Sequence, residues 1–126
     1  MKIQKESNAI YNFEYNCRLR RIYPWNGVVQ PAWGSAIAKV DINCSTTIHH
    51  HDEKETFIIL HGYGEITIDD EREMVQTGDV IYLPPMSSHT IKNISETEEL
   101  TFLTIYWDEG MNGTDPDKLK KEESII

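Results

Sequence analysis

The chain has 126 residues, a length that fits one domain, and its hydrophobic fraction of 39% is sufficient for a single core. The formal charge of −9, from 21 acidic and 12 basic residues, argues against nucleic acid and anionic membranes as partners, because both bind basic surfaces. We expect no signal peptide, and the apolar runs fall far short of the roughly 20 residues of a membrane span. Cys17 and Cys44 are too few for a disulfide framework, which favours a soluble protein of the reducing cytoplasm.

We expect residues 1–33 to form an irregular segment rich in aromatic side chains. This segment would pack on the following domain or on a dimer partner. The stretch Tyr-Pro-Trp-Asn-Gly at 23–27 is typical of a turn, and Pro31 disfavours a helix nearby. Three aromatic residues either line the mouth of a pocket or cover the outer surface and a dimer contact: Tyr23, Trp25 and Trp33.

From Gly34 onward the sequence changes to short apolar segments separated by turn signals. Asp69 and Asp70 stand between two such segments and predict a tight hairpin. The predicted strands cover 36–42, 57–60, 65–68, 72–76, 80–83, 90–94 and 100–107. This regular spacing predicts an all-β sandwich or barrel over residues 34–107. The remaining segment, 108–126, is a polar tail in which only 118–123 could form a marginal helix.

The segment His-His-His-Asp-Glu-Lys-Glu at 49–55 contains several side chains that can bind a metal ion. In a strand, residues two apart share a face, so His49 and His51 would point the same way, about 7 Å apart. A turn over 52–54 would return Glu55 to their side. His89 is the candidate for a fourth ligand, because it follows a Pro-rich turn and opens a predicted strand. Imidazoles with one carboxylate suit a single divalent transition metal ion, whether Fe, Mn, Zn, Ni or Cu.

His50 and His61 are interpreted as surface residues. His50 would face away from its two neighbours in a regular strand, and a lone histidine is more often exposed or hydrogen-bonded than a ligand. Phe57, Ile59 and Ile91 share strand parity with the candidate ligands, so we expect them to point into the core.

Two spacings in this region resemble the motifs of the cupin family. The first family motif is G-x5-H-x-H-x3,4-E-x6-G, and the matching positions are Asn43, His49, His51, Glu55 and Gly62. The second is G-x5-P-x-G-x2-H-x3-N, and the matching positions are Gly78, Pro84, Met86, His89 and Asn93. The resemblance implies a double-stranded β-helix (jelly-roll) barrel of six to eight strands, with the ion inside one end.

All four ligand positions of the family are occupied here, so the resemblance implies a metal site formed by His49, His51, Glu55 and His89. Two turn glycines of the motifs are replaced. Asn at position 43 tolerates positive φ, whereas Met86 adopts it only at a cost. The local backbone before His89 is therefore the point at which the match is weakest.

A site of three histidines and one carboxylate leaves coordination positions open for a substrate, which distinguishes reactive from structural metal sites. We therefore expect a metal-dependent enzyme for a small molecule, with dioxygenase-like or related oxidative chemistry, in which Glu55 would also move protons when it loosens from the metal. The alternative is a cupin that binds or senses a small molecule without turnover. Exposed sheet edges also favour a homodimer.

A narrower resemblance concerns the zinc cupins of hydrazine synthetases, which form N–N bonds together with a methionyl-tRNA-synthetase-like module. It rests on the Tyr-Pro-Trp stretch, the Trp33-Gly34 pair, the two-histidine motif and the segment 102–107. A sugar-phosphate isomerase of the cupin type is a further alternative, although the few Lys and Arg residues show no clear phosphate site.

Overall fold

The computed structural model describes residues 1–108, and these residues form an almost entirely β structure. One 3-10 turn, Glu6–Asn8, precedes the strands. Among the described residues no helix has the length and hydropathy to cross a membrane. The strands are β1 Asn12–Glu14, β2 Cys17–Tyr23, β3 Gly34–Val40, β4 Lys54–His61, β5 Tyr63–Ile68, β6 Glu71–Gln76, β7 Val80–Leu83, β8 His89–Asn93 and β9 Leu100–Trp107.

The strands form two antiparallel sheets. The larger sheet has six strands in the order β1-β2-β3-β9-β4-β7, and the smaller has three in the order β6-β5-β8. The chain leaves the larger sheet after β4 and enters the smaller one at Gly62, where φ is +91° and a Cβ would lie 2.9 Å from the carbonyl oxygen of Glu99. The predicted all-β jelly-roll barrel is confirmed.

Most predicted strands from Gly34 onward agree with the structure to within a few residues. The hairpin at Asp69 and Asp70 is confirmed, because Ile68 pairs with Glu71 across this two-residue turn. Asp69 has a φ of +53°, which Asp tolerates better than most side chains. The prediction of a strand over 36–42 extends too far, since β3 ends at Val40 and Ile42 is exposed.

The prediction of an irregular segment over residues 1–33 is corrected for two strands. Asn12–Glu14 and Cys17–Tyr23 join the edge of the larger sheet, and β2 pairs with β3 over five residues on each side. Cys17 and Leu19 are buried in the core. Arginines at 18, 20 and 21 and a register shift between Arg21 and Tyr23 obscure the alternation. The predicted helix at 118–123, like the rest of the tail after Asp108, lies outside the described residues.

The core lies between the two sheets and follows the alternation of β3, β4 and β9. Phe57 and Phe102 pack with ring centroids 4.4 Å apart. Alanines on β3 leave room for them, since Ala38 pairs with Phe102 in register. Ile59 and Ile91 are also fully buried, as predicted. Glu55 lies two residues before Phe57 on β4, so its side chain points into the same core.

The N-terminal turn is tied to the outer face of the larger sheet through Glu6. Its carboxylate is paired with Arg20 and Lys39 and accepts a hydrogen bond from the hydroxyl of Tyr11. The hydrogen bond from Lys39, followed by that from Tyr11, lowers the pKa of Glu6. Exposed pairs of this kind contribute little each, but together they hold the segment before β1 in place.

Candidate metal centre

The histidine pair is positioned by an irregular segment that runs along β8. Thr46 donates its backbone N–H to the carbonyl of Ile91. His49 and His89 form an isolated antiparallel bridge with N–O distances of 3.0 and 3.4 Å. The two-histidine segment thus lies beside the strand that begins with the third histidine.

This arrangement corrects one expectation and confirms another. His49 and His51 do not lie in a named strand, because their segment makes only isolated bridges to β8. The predicted change of direction is present as a bend at residues 52 and 53, after which β4 begins at Lys54. The bend moves the chain from the smaller sheet to the larger one, where Glu55 points inward.

Both replaced turn glycines keep the left-handed conformation. Asn43 has a φ of +57° and Met86 a φ of +65°. The backbone N–H of Met86 donates to the carbonyl of His51 at 2.6 Å, so the unfavourable turn residue also fixes the histidine segment. The backbone before His89 is therefore retained despite the substitution.

The structure brings three predicted ligands together. One ring nitrogen from each of His49, His51 and His89 lies within 4.8 Å of the other two. The ring centroids are 4.5 Å apart for His49 and His89, 5.3 Å for His51 and His89, and 5.9 Å for His49 and His51. His89 is buried, whereas His49 and His51 are partly accessible, so the cluster opens on their side.

Glu55 lies beside this cluster and is completely buried. Its Oε1 is 2.9 Å from Nε2 of His51 and 3.6 Å from Nε2 of His89. Donors about 2.0–2.1 Å from one ion, at angles between square and tetrahedral, lie about 2.9–3.4 Å apart. The two measured separations are close to that range, so the carboxylate fits as a fellow ligand of these histidines.

Backbone carbonyls select the ring nitrogen that His49 and His51 present to the cluster. Nδ1 of His49 lies 2.8 Å from the carbonyl of Thr47, and Nδ1 of His51 lies 3.2 Å from that of Glu53. A carbonyl only accepts, so Nδ1 carries the proton and Nε2 keeps its lone pair for a ligand. The lone pairs of His51 Nε2 and Glu55 Oε1 thus face each other, and a cation between them satisfies both. The site fits a metal ion on this ground.

Three residues around the cluster escaped the sequence analysis: Tyr15, Glu53 and Thr104. Tyr15 stacks on His49 with ring centroids 4.9 Å apart, and its φ is +54°. The hydroxyl of Thr104 donates to Oε2 of Glu55. Only Tyr15 had a local signal, the following Asn16, which is typical of a turn.

The two histidines interpreted as surface residues agree with that interpretation. His50 is exposed, and His61 is exposed with its Nε2 3.7 Å from Oε1 of Glu98. Tyr23 contacts Trp25 and Trp33 with ring centroids 6.0 and 5.1 Å apart.

This aromatic cluster lies at the end of the larger sheet that carries Glu55, which we call the metal end. Trp33 immediately precedes Gly34, which pairs with Tyr106, and Tyr106 in turn pairs with Glu55. Trp33 itself is 38% exposed. Both alternatives for these residues, the pocket mouth and the outer surface, remain compatible with this position.

A separate groove of about 470 Å³ lies between β6 and β7. Its lining includes Ile68, Val75, Ile81 and Tyr82, and it contains neither the histidines nor Glu55. The candidate metal centre is therefore distinct from this groove.

Comparison with known proteins decides the family. The model of the Cupin_2 cupin domain matches residues 37–106, which is more than half of the chain. The chain belongs to this cupin family. Among solved structures, the cupin 2 conserved barrel domain protein of Salinispora arenicola superposes with a TM-score of 0.79 at 29% identity, covering 98% of both chains. The plu4264 protein of Photorhabdus luminescens gives a TM-score of 0.75 at 31% identity, covering 98% of this chain and 97% of that one.

One curated relative matches about half of this cupin. The uncharacterized protein MJ1618 of Methanocaldococcus jannaschii is 42% identical over 60 residues, 47% of this chain and 48% of that protein. The match thus spans about half the length of this curated relative. Family membership and the histidine cluster support metal binding by this cupin. A reaction has to be inferred from the geometry of the site.

Proposed function

We propose that this cupin is a metal-dependent enzyme for a small molecule, with one divalent transition metal ion held by His49, His51, Glu55 and His89. The observation that carries the proposal is the convergence of three imidazoles from separate segments, with a buried carboxylate beside two of them. Such a donor set leaves coordination positions open for substrate. The ion would supply Lewis acidity and, where redox-active, the electron transfer of dioxygenase-like or related oxidative chemistry.

The protein's own residues prepare the site for this role. The carbonyls of Thr47 and Glu53 fix the orientation of two imidazoles. Phe57, whose ring meets that of His89 edge-on with centroids 5.9 Å apart, excludes water from the buried side. A small molecule would enter beside His49, which is partly accessible. Glu55 is the proposed catalytic residue: Thr104 holds Oε2, and Oε1, which faces the histidines, would take up a proton when it leaves the ion.

Elemental analysis tests the metal site directly. We expect about one equivalent of transition metal per chain in the wild type and in a His50→Ala control, since His50 is exposed. His51→Ala and His89→Ala should lose most of it while keeping the β circular-dichroism spectrum. Full metal content in both variants would overturn the proposed ligand set.

The second candidate is a binding or sensing module without turnover. Its support is that Thr104 donates to one oxygen of Glu55 and Nε2 of His51 lies 2.9 Å from the other, so little space is left for the carboxylate to act as a base. The metal-loaded protein should be assayed with candidate substrates for oxygen consumption, alongside Glu55→Gln. Turnover that falls in Glu55→Gln, when excess metal brings both proteins to the same metal content, supports the enzyme. Ligand-dependent thermal shifts without product support the binding module.

A narrower proposal is a zinc cupin that acts in N–N bond formation. Its support is the position of Tyr23, Trp25 and Trp33 at the metal end of the sheet. Zinc as the predominant metal in the native protein would favour this function, whereas iron, manganese, nickel or copper would favour the oxidative one.

We also propose a homodimer in the cytoplasm. The outer face of the larger sheet carries Ile37, Leu103, Ile58 and Val80 in register across four strands, an apolar row suited to a second copy. Both cysteines are free thiols, which favours a reducing compartment. Light scattering should find a dimer that Leu103→Lys dissociates and Glu73→Lys, on the other sheet, leaves intact. A monomeric wild type would refute the dimer.

A further inference from the structure

A second buried carboxylate, that of Glu53, lies next to the histidine cluster. Glu53 is 4% exposed, and its Oε1 has no hydrogen-bond partner among the described residues. Nδ1 of His51 is 3.6 Å away, and in the described part of the chain no other Lys, Arg or His nitrogen comes within 4.0 Å of this carboxylate. Glu53 falls between the ligand positions of the family motif and matches none of them.

The burial of this carboxylate is unfavourable in the protein without metal. A carboxylate removed from water is stabilised only by hydrogen bonds or by nearby positive charge. The Glu53 carboxylate faces Nδ1 of His51, the ring nitrogen that carries the proton. This N–H already donates to the backbone carbonyl of the same Glu53. Two acceptors of one residue therefore converge on one ring N–H, with the carbonyl at 3.2 Å and the carboxylate at 3.6 Å.

His51 is thus placed between two carboxylates. Glu53 lies on the Nδ1 side of the ring and Glu55 on the Nε2 side, where a metal ion would bind. A carboxylate behind a ligating imidazole holds the ring orientation and increases the basicity of the coordinating nitrogen.

We propose that Glu53 is a positioning residue of the metal centre, acting through the Nδ1–H of His51. This inference rests on the proposed metal-binding function. The carboxylate raises the affinity for the ion, and the charge of the bound ion in turn offsets the burial of the carboxylate. Glu53 would therefore strengthen metal binding while contributing little to the stability of the metal-free fold.

The test compares Glu53→Gln with the wild type by titration of Zn²⁺ or Co²⁺ alone against a chelator of known affinity. We expect Glu53→Gln to weaken metal binding by about 10- to 100-fold, the range found for such partners. Urea unfolding in excess chelator should show the metal-free variant to be as stable as the wild type or more stable. A merely structural role predicts the opposite sign, a less stable metal-free protein.

Asp52→Asn is the matched control, because it removes the same charge one residue away from an exposed side chain. It should change the metal affinity by less than about twofold, as expected for a screened surface charge. Glu53→Asp keeps the charge but shortens the side chain, so its affinity should lie between those of the wild type and Glu53→Gln. If Glu53→Gln does not fold, wild-type affinity in Glu53→Asp would contradict the proposal.

The outcomes separate the two proposals. A wild type that binds neither Zn²⁺ nor Co²⁺ refutes the metal site and, with it, the role of Glu53. A wild type that binds metal as tightly as Glu53→Gln refutes only the positioning role. An affinity loss equal to that of Asp52→Asn, or a destabilised metal-free variant, also overturns it.

Discussion

The hydroxyl of Thr104 donates a hydrogen bond to the carboxylate of Glu55, and both side chains are completely buried. They occupy diagonal positions on neighbouring strands, since Glu55 pairs with Tyr106 and Phe57 pairs with Thr104. One oxygen of the carboxylate is thereby fixed by the sheet, and the other faces His51 and His89. The register of two strands thus determines where the proposed metal ligand points.

Thr104→Val should destabilise the protein, because it removes this donor without changing the side-chain shape. A buried carboxylate that loses a hydrogen bond costs about 1–3 kcal/mol. Urea unfolding in excess chelator should show a decrease of this size. Thr101→Val, on the same strand but on its half-buried outer face, should stay within about 0.5 kcal/mol of the wild type. Equal effects of the two variants would refute the importance of the hydrogen bond.

Met86→Gly should stabilise the protein. Met86 has a φ of +65° and is 62% exposed, so glycine would relieve backbone strain and lose little burial. The left-handed conformation costs an L residue about 1–2 kcal/mol, and the greater unfolded-state entropy of glycine offsets about 0.5–1 kcal/mol of that gain. We expect a net gain of about 0.5–1 kcal/mol in urea unfolding.

Met74→Gly provides the comparison for this variant. Met74 is also exposed but lies within β6, where a glycine should destabilise by about 0.5–1 kcal/mol. Opposite signs for the two substitutions are the expected result. A loss of stability in both would show that the turn at position 86 is not strained.

The two cysteines should differ in reactivity and in their effect on stability at alkaline pH. Burial, followed by the nearby Glu14, raises the pKa of the Cys17 thiol to about 12. Thiolate is the reactive form, so iodoacetamide at pH 8 should modify Cys44 more than about tenfold faster than Cys17, as peptide mass spectrometry would show. Similar rates for both thiols would contradict the burial of Cys17.

The same shift predicts a loss of stability at high pH. The folded pKa lies above the unfolded value of about 8.5, so the unfolded chain loses this proton first. The contribution is fully present below pH 8.5 and is lost progressively as the pH rises toward 12. Urea midpoints measured from pH 8 to 10.5 should fall, and the decrease should be smaller in Cys17→Ala than in Cys44→Ala.

Gly34→Ala should disturb the metal end of the sheet. A Cβ at position 34 would lie 2.3 Å from Cε2 of Tyr106, so the buried ring would have to move. Such overpacking costs about 1–3 kcal/mol. Combining it with Tyr106→Leu should cost less than the sum of the two single changes, as a double-mutant cycle would measure. Additive effects would show that the two residues do not share this space.

The sequence alone determined the family fold and the identity of the three clustered histidines. His49, His51 and His89 were recognisable because a two-residue spacing and a Pro-rich turn are local patterns. The strands from β3 to β9 were recognisable in the same way, because alternation of apolar residues reflects a sheet with one buried face. Even the hairpin at Asp69 follows from two adjacent residues.

The second strand shows where local patterns fail. Its arginines at 18, 20 and 21 and its register shift obscure the alternation that identifies a strand. Its place in the sheet depends on β3, which begins more than ten residues later and pairs with it across a long connection. Pairing partners this far apart in sequence leave no signal within the strand itself.

Only the tertiary structure decided the surroundings of the histidines. Thr104 reaches Glu55 from 49 residues away, and Tyr15 stacks on His49 from a separate hairpin. Glu53 is adjacent to the proposed ligands in sequence, but the bend at 52 and 53 is what buries its carboxylate behind His51. The choice of proposed ligands depends on residue type and spacing, whereas the partners of those side chains depend on strand register and packing, which are properties of the folded chain.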